Sequence, residues 1–124
     1  AARLERQCAA LGDGSDPSVL DAFAYRAEAR AAAACHMASH TDPGLLTLTL
    51  ASEAAGLQAR STASGAWVDL EAGGGAVLVV LAAEQLERAS GGAVRAAPHR
   101  VVAAPAERLS LVYELRLPEE RMPV

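Results

Sequence analysis

Two histidines and an aspartate carry the most specific chemistry in the sequence. His40 and Asp42 stand two positions apart, and His99 follows much later in the chain. In an extended strand residues i and i+2 point to the same side, so the spacing predicts that His40 and Asp42 project together. Two imidazoles and one carboxylate form a facial triad, which leaves open coordination positions on a non-haem iron(II). These residue types therefore predict a metal site built from distant segments.

The segment 108–117 predicts a strand with two different faces. Its leucines and Tyr113 alternate with Arg108, Ser110 and other mostly polar residues, which is the period of a β-strand. Arg108 and Ser110 therefore point to the same side. We expect that side to line a polar cavity or surface.

Composition excludes several classes of function. The chain has 124 residues, enough for one modest domain, with 52% hydrophobic residues, 3% aromatic residues and a net charge of −4. Few rings and a negative charge argue against binding nucleic acid, which needs stacking platforms and cationic side chains. All 11 basic residues are arginines. The absence of lysine excludes a Schiff base and a phosphate-binding P-loop.

Cysteine usage and hydropathy bear on location. Cys8 and Cys35 make neither a disulfide framework nor a Cys-x-x-Cys metal site, which favours a reducing compartment. The apolar run at 76–83 is far too short to cross a bilayer, and the N-terminus lacks the apolar region of a signal peptide. We therefore expect a cytoplasmic protein that does not contact membranes. Its oligomeric state is left open.

The order of elements predicts an all-β fold. The spacing of Leu4, Cys8 and Leu11 predicts a short helix over 1–11, and we interpret 26–35 as an alanine-rich loop with a helical turn. A helical turn is predicted over 84–88, and the apolar run at 76–81 predicts a strand buried on both faces. Strands are predicted over 19–25, 46–50, 57–60, 66–70, 76–81, 94–103 and 108–117.

Many short strands separated by turns are typical of a sandwich or jelly roll. We predict a jelly-roll domain (double-stranded β-helix) over 19–117. Residues 1–18 are predicted to form an N-terminal helix and linker, and residues 118–124 a C-terminal tail.

Over 19–117 the sequence resembles the catalytic core of iron(II)/2-oxoglutarate-dependent oxygenases, in the isopenicillin N synthase-like branch. The order and approximate spacing of the family's motifs are kept. The motifs that carry the resemblance are His40-Thr41-Asp42-x-Gly44, Gly56-Leu57-Gln58, Trp67-Val68-Asp69, Leu86-Glu87-Arg88, His99-Arg100-Val101-Val102 and Arg108-x-Ser110.

The resemblance implies a role for six residues. His40, Asp42 and His99 match the iron ligands, while Arg108 and Ser110 match the residues that bind the distal carboxylate of 2-oxoglutarate. Tyr25 stands where the family often places a tyrosine that contacts the same cosubstrate. A planar guanidinium suits a carboxylate, and a hydroxyl two residues along adds a donor from the same face. The implied activity is oxidation of a small organic molecule by dioxygen, with decarboxylation of 2-oxoglutarate to succinate.

The sequence also departs from the family. Phe23 and Arg26 replace the asparagine and proline that usually flank the tyrosine, and Ala83-Glu84 replaces Gly-Asp before the short helix. Family members are also usually much longer, with an N-terminal region that this sequence lacks. These departures keep a second hypothesis open, a truncated and inactive jelly-roll binding module with a vestigial metal site.

Two further alternatives concern the metal and the cosubstrate. A cupin-type site with another divalent ion is less well matched, because such sites commonly use more histidines. A branch that uses ascorbate also shares Arg-x-Ser, so the cosubstrate is not settled by this motif. The substrate and the extent of the full-length protein are not specified by the sequence.

Overall fold

The computed structural model describes residues 4–10, 16–27, 35–51, 54–72 and 77–118. Within these ranges the chain forms short strands and one short helix. In chain order they are β1 (Leu4–Ala10), β2 (Val19–Tyr25), β3 (Cys35–His40), β4 (Leu46–Ala51), β5 (Leu57–Arg60), β6 (Trp67–Asp69), β7 (Leu78–Ala82), α1 (Glu84–Ala89), β8 (His99–Val102) and β9 (Arg108–Leu115).

The strands form two sheets. The first has the order β1-β2-β9-β4-β7 and the second the order β3-β8-β5-β6. Neighbouring strands are antiparallel in both sheets. The prediction of an all-β fold is therefore confirmed, and the two sheets are the layers expected of a jelly roll.

The core lies between the two sheets. Phe23, Tyr25 and Leu81 from the first sheet pack with Leu57 and Val101 from the second. Polar side chains share this inner face, so the interior is only partly filled by apolar groups. They include Thr47, Thr49, Arg108 and Ser110, all buried.

The alternation of β9 is confirmed, and its polar face is the inner one. Arg108 and Ser110 are buried, whereas Leu109 and Leu111 are 61% and 51% exposed. The prediction that the apolar run around β7 is buried on both faces is wrong. Val79 and Leu81 point inward, but Leu78 is 58% exposed. Val80, on the same face as Leu78, is 54% exposed, so this face of β7 is open to solvent.

The predicted N-terminal helix is also wrong where the structure describes it. Residues 4–10 form β1, which pairs with β2 from Leu4 opposite Tyr25 to Ala10 opposite Val19. Helix propensity is a weak prior that tertiary context overrides. Here the hydrogen-bonding edge of β2 supplies that context.

Other local predictions are confirmed. β5 and β6 form the predicted hairpin, with pairing from Gln58 opposite Asp69 to Arg60 opposite Trp67 at the turn, and the helical turn is α1. The strand predicted over 94–103 is shorter, because β8 begins at His99. Most of the alanine-rich segment predicted as a loop, 28–34, lies outside the described residues. No described helix has the length and apolar character needed to cross a bilayer.

Candidate metal centre and adjoining pocket

The two histidines meet because β3 pairs with β8. His40 is the last residue of β3 and His99 the first of β8, and they stand directly opposite each other. Their ring centroids are 4.4 Å apart. Antiparallel pairing brings the end of one strand beside the start of its partner, which places two distant imidazoles side by side.

Asp42 completes the group from the loop that follows β3. Its Oδ1 atom lies 3.3 Å from His40 Nε2, and its Oδ2 atom lies 3.5 Å from His99 Nε2. One ligand atom from each of the three residues falls within 4.8 Å of the other two. The expectation that His40 and Asp42 share one extended strand is wrong, because β3 ends at His40. The loop nevertheless returns the carboxylate to the imidazoles.

The Asp42 loop is held from three directions. The Thr47 hydroxyl donates a hydrogen bond to Asp42 Oδ2. The backbone N–H of Glu84 at the start of α1 donates to the Asp42 carbonyl oxygen over 2.9 Å. Glu114 Oε1 accepts a 2.8 Å hydrogen bond from the N–H of Gly44. β4, α1 and β9 therefore fix the position of one carboxylate.

Backbone carbonyls determine which nitrogen of each imidazole carries the proton. His40 Nδ1 lies 2.8 Å from the Ala38 carbonyl oxygen, and His99 Nδ1 lies 2.9 Å from the Ala97 carbonyl oxygen. A carbonyl oxygen can only accept, so each Nδ1 carries the hydrogen. In the neutral ring Nε2 then presents a lone pair toward Asp42. Two such lone pairs and a carboxylate repel one another unless a cation lies between them, so this donor set suits a divalent metal.

The pKa values of the group reflect its negative charge. A hydrogen bond to the Asp42 carboxylate raises the pKa of His40 above 6.5, against the opposing effect of burial. Burial acts to raise the pKa of Asp42, but hydrogen bonds from His40 and Thr47 outweigh it and lower the value below 3.8. Asp42 is therefore ionised at neutral pH.

A cavity of about 280 Å³ adjoins the three residues and extends between the sheets. His40, Asp42 and His99 line it, as do Tyr25 and Arg108. Tyr25 stands opposite Arg108 where β2 pairs with β9. The structure thus brings all the sequence-predicted site residues, Ser110 included, to one cavity.

Arg108 has unused hydrogen-bonding capacity. It is 2% exposed, and its Nη2 atom donates to Glu71 Oε1 over 2.7 Å. Its Nε and Nη1 atoms are buried and find no hydrogen-bond partner among the described residues. Because unpaired buried donors are expensive, these atoms indicate where an anionic ligand would bind.

Tyr25 and Ser110 lie beside this guanidinium. The Tyr25 ring centroid is 5.2 Å from the Arg108 guanidinium carbon. Burial raises the pKa of Tyr25, although the Arg108 charge and hydrogen bonds with Ser110 and Arg108 act to lower it. The phenol therefore stays protonated at neutral pH. Two hydroxyls and a guanidinium form a donor-rich group in the same cavity.

Sequence reasoning missed the roles of Glu71 and Thr47. Glu71 is 8% exposed and contacts Arg108, while Thr47 supports Asp42. The period-two pattern of β4 could have placed Thr47 on the inner face with Thr49. Nothing in the pattern around Glu71 signals its partner. His36 lies outside the metal group, with its ring centroid 5.3 Å from that of Tyr25.

A family model described as the 2OG-Fe(II) oxygenase superfamily matches residues 10–117. The chain belongs to this superfamily. The resemblance read from the motifs is therefore confirmed at the level of the family. A search of curated protein sequences finds no match to this chain.

Solved structures of oxygenases share the fold. The dioxygenase for auxin oxidation 1 from Arabidopsis thaliana, in complex with 2-oxoglutarate, is 23% identical with a TM-score of 0.77, and the match covers 87% of this chain and 41% of that one. The rice dioxygenase for auxin oxidation is 25% identical with a TM-score of 0.75, covering 84% and 36%. JOX2 in complex with 2OG, Fe and JA is 27% identical with a TM-score of 0.72, covering 86% and 31%.

These structures confirm the jelly-roll fold class. In each case the chain spans less than half of the length of the oxygenase it matches. The residues matched by the family model, 10–117, include His40, Asp42 and His99.

Proposed function

We propose that this chain is the catalytic core of an iron(II)- and 2-oxoglutarate-dependent dioxygenase. It would hydroxylate or desaturate a small organic substrate while 2-oxoglutarate is decarboxylated to succinate. One observation carries the proposal. Two imidazoles and a carboxylate, close enough to bind one metal ion, share a cavity with a buried arginine. Two nitrogens of that arginine have no hydrogen-bond partner among the described residues.

The residues divide into two sets. His40, Asp42 and His99 would hold iron(II) through Nε2, a carboxylate oxygen and Nε2. Three protein ligands would leave coordination positions open for the 2-oxo acid and dioxygen. Iron with its cosubstrate supplies the oxidising chemistry.

Arg108, Ser110 and Tyr25 would bind the far carboxylate of the cosubstrate. The free Nε and Nη1 donors of Arg108 supply charge-assisted hydrogen bonds. The hydroxyls of Ser110 and Tyr25 add neutral donors. Inside a cavity between two sheets these groups orient the 2-oxo acid and exclude bulk water. Ascorbate has no distal carboxylate to use them, so this arrangement favours 2-oxoglutarate.

The test is succinate formation from 2-oxoglutarate by iron-loaded protein. D42N should abolish it, and H40A and H99A should do the same, since each removes one of three ligands. D69N is a matched control, because Asp69 is an exposed aspartate on β6. If the wild-type protein binds iron and never turns over with a broad substrate panel, the proposal fails.

The second candidate is an inactive jelly-roll binding module with a vestigial metal site. The exposed aliphatic residues on the outer face of the first sheet favour it, because such a surface is suited to packing against another protein surface. If the melting temperature of the metal-free protein does not change when iron(II) is added, this candidate is supported. A clear rise in melting temperature with iron would support the enzyme.

The proposed setting is the cytoplasm, with a small-molecule substrate and dioxygen as partners. The free and exposed thiol of Cys35 suits a reducing compartment. Fractionation of cells that express the full-length protein would test the location.

A further inference from the structure

We propose that Glu71 is a resident counter-ion of Arg108 that weakens and tunes the binding of the cosubstrate's distal carboxylate. The inference deepens the proposed function and rests on it, because it takes Arg108 as the carboxylate-binding residue. Glu71 belongs to none of the motifs that the resemblance rests on, and its contacts in the structure carry the argument.

The Glu71 carboxylate is fixed by the backbone. Its Oε2 atom accepts hydrogen bonds from the N–H groups of Gly56 and Leu57, over 2.9 Å and 3.0 Å. Its Oε1 atom accepts from Arg108 Nη2 over 2.7 Å. Both oxygens are engaged in a buried setting, so the carboxylate remains in place whether or not a ligand is present.

The Arg108 side chain is equally constrained. A Cβ atom added to Gly56 would lie 3.1 Å from Arg108 Cδ, so the stem of the arginine packs closely against the β5 end of the hairpin. The guanidinium gives Nη2 to Glu71 and keeps Nε and Nη1 unpartnered within the described part of the chain. Glu71 thus accepts from one nitrogen of Arg108 and leaves the other two as donors for a ligand.

The ion pair affects the two states of the pocket unequally. In the ligand-free protein Glu71 neutralises a buried charge that would otherwise be uncompensated, which is a large stabilisation. In the ligand-bound protein the ligand carboxylate also neutralises Arg108, and it is repelled by the fixed Glu71 charge. Glu71 therefore stabilises the ligand-free state more, and this difference lowers affinity for the carboxylate.

The effect should be specific to ligands with a second carboxylate. A 2-oxo acid that lacks one, such as 2-oxobutanoate, would bind at the metal without reaching Arg108. Its affinity should not depend on Glu71. The comparison of the two acids separates a local charge effect from general damage to the pocket.

The test substitutes Glu71→Gln, which keeps the side-chain size and has only one acceptor oxygen. Dissociation constants would be measured without oxygen on iron(II)-loaded protein, from the visible absorbance that appears when a 2-oxo acid binds. E71Q should bind 2-oxoglutarate about tenfold more tightly, as expected for removing one nearby like charge. Binding of 2-oxobutanoate should be unchanged. Equal or weaker binding of 2-oxoglutarate by E71Q overturns the inference.

Glu107→Gln is the matched control. Glu107 precedes Arg108 in the sequence and is exposed, so E107Q removes the same charge from the surface. It should leave both affinities unchanged. If E107Q and E71Q tighten binding equally, net charge is the cause and the ion pair is not.

A metal-free measurement tests the ion pair itself. E71Q should unfold at a lower temperature than wild type, and E71Q/R108Q should recover much of the loss because it removes both charges. If E71Q does not fold, the double variant must fold. A double variant as unstable as E71Q would overturn the inference. If wild-type protein binds no 2-oxoglutarate, the proposed function fails. If wild-type protein binds it and E71Q does not bind it more tightly, only the inference about Glu71 fails.

Discussion

Individual hydrogen bonds prepare the metal group for its ion. The Ala38 and Ala97 carbonyl oxygens hold the Nδ1 protons of His40 and His99, so Nε2 is the nitrogen that faces Asp42. Thr47 orients the carboxylate from the inner face of β4. The groups around the three ligands thus orient the ligand atoms and contribute to metal affinity.

Metal affinity should fall as the pH falls from neutral. The raised pKa of His40 means that a proton competes for Nε2 at a pH above 6.5. Below that raised pKa, affinity should drop by up to about tenfold per pH unit, since one proton must leave before the metal binds. Calorimetric titration with cobalt(II), which resists oxidation, measures this. A flat profile between pH 8 and pH 6 would contradict it.

The same shifts affect the stability of the metal-free protein in opposite pH ranges. The raised pKa of His40 stabilises the fold below its ordinary pKa, and this contribution is lost as the pH rises through the raised value. The lowered pKa of Asp42 stabilises the fold above its ordinary pKa of 3.8 and is lost as the pH falls. Metal-free protein should therefore lose stability at both ends of this window, as urea unfolding at several pH values would show.

Thr47→Val should weaken metal binding about tenfold or more, because hydrogen bonds to metal ligands commonly contribute that much. The substitution keeps the shape and removes the hydroxyl that donates to Asp42. Thr49→Val is the control, since Thr49 is buried on the same face of the same strand. Equal losses in the two variants would indicate a general effect of burying valine.

Elements bring these residues together through a few close contacts. The N-terminus of α1 lies against the Asp42 loop, and the N–H groups of Glu84 and Gln85 donate to the carbonyl oxygens of Asp42 and Gly44. The last turn of the loop also touches β9, because Leu45 N–H donates to the Leu115 carbonyl oxygen over 2.7 Å. The helix and β9 together determine the path of the loop between β3 and β4.

Gly44→Ala should lower both stability and metal affinity. A Cβ atom at this position would lie 2.6 Å from the Leu115 carbonyl oxygen, so the loop or β9 must move, with a loss of about 1–3 kcal/mol. Gly65→Ala is the contrast, because Gly65 has a φ of +70° and nothing within 4 Å of an added Cβ atom. It should lose stability through backbone strain alone and keep its metal affinity. Thermal melts and cobalt titration distinguish the two.

Some elements could be predicted from sequence and others could not. β9 has a period-two pattern along its whole length, so its two faces were readable. Residues 4–10 have helix-forming composition, yet they form β1 because β2 offers a free edge. The contact between Glu71 and the N–H groups of Gly56 and Leu57 arises from the return of the hairpin. No periodicity encodes such a contact. His40, Asp42 and His99, in contrast, can be recognised as candidate metal ligands from their residue types alone.

At the scale of the whole molecule, the inner and outer faces of the first sheet differ in burial and in polarity. The inner face carries the core and the polar cavity. The outer face presents aliphatic side chains, including Leu78, Leu109 and Leu111. A group of exposed aliphatic side chains on one sheet face is typical of a surface that packs against another protein surface.

Substitutions on the two faces should differ strongly in effect. Leu109→Thr and Leu111→Thr should each change the free energy of unfolding by no more than about 0.5 kcal/mol, as is usual for exposed positions. Leu81→Ala should lose about 2–5 kcal/mol, since Leu81 is buried. Urea denaturation of the three variants measures this. A large loss from either threonine variant would show that the outer face is packed in solution.

The pairing of β3 has a mechanical consequence. In the described part of the second sheet β3 is one of the two edge strands, and its register with β8 shifts twice before His40 meets His99. A cation shared between these two strands and the following loop would hold this irregular pairing together. Binding of the ion would then slow the exchange of the β3 amide hydrogens with solvent.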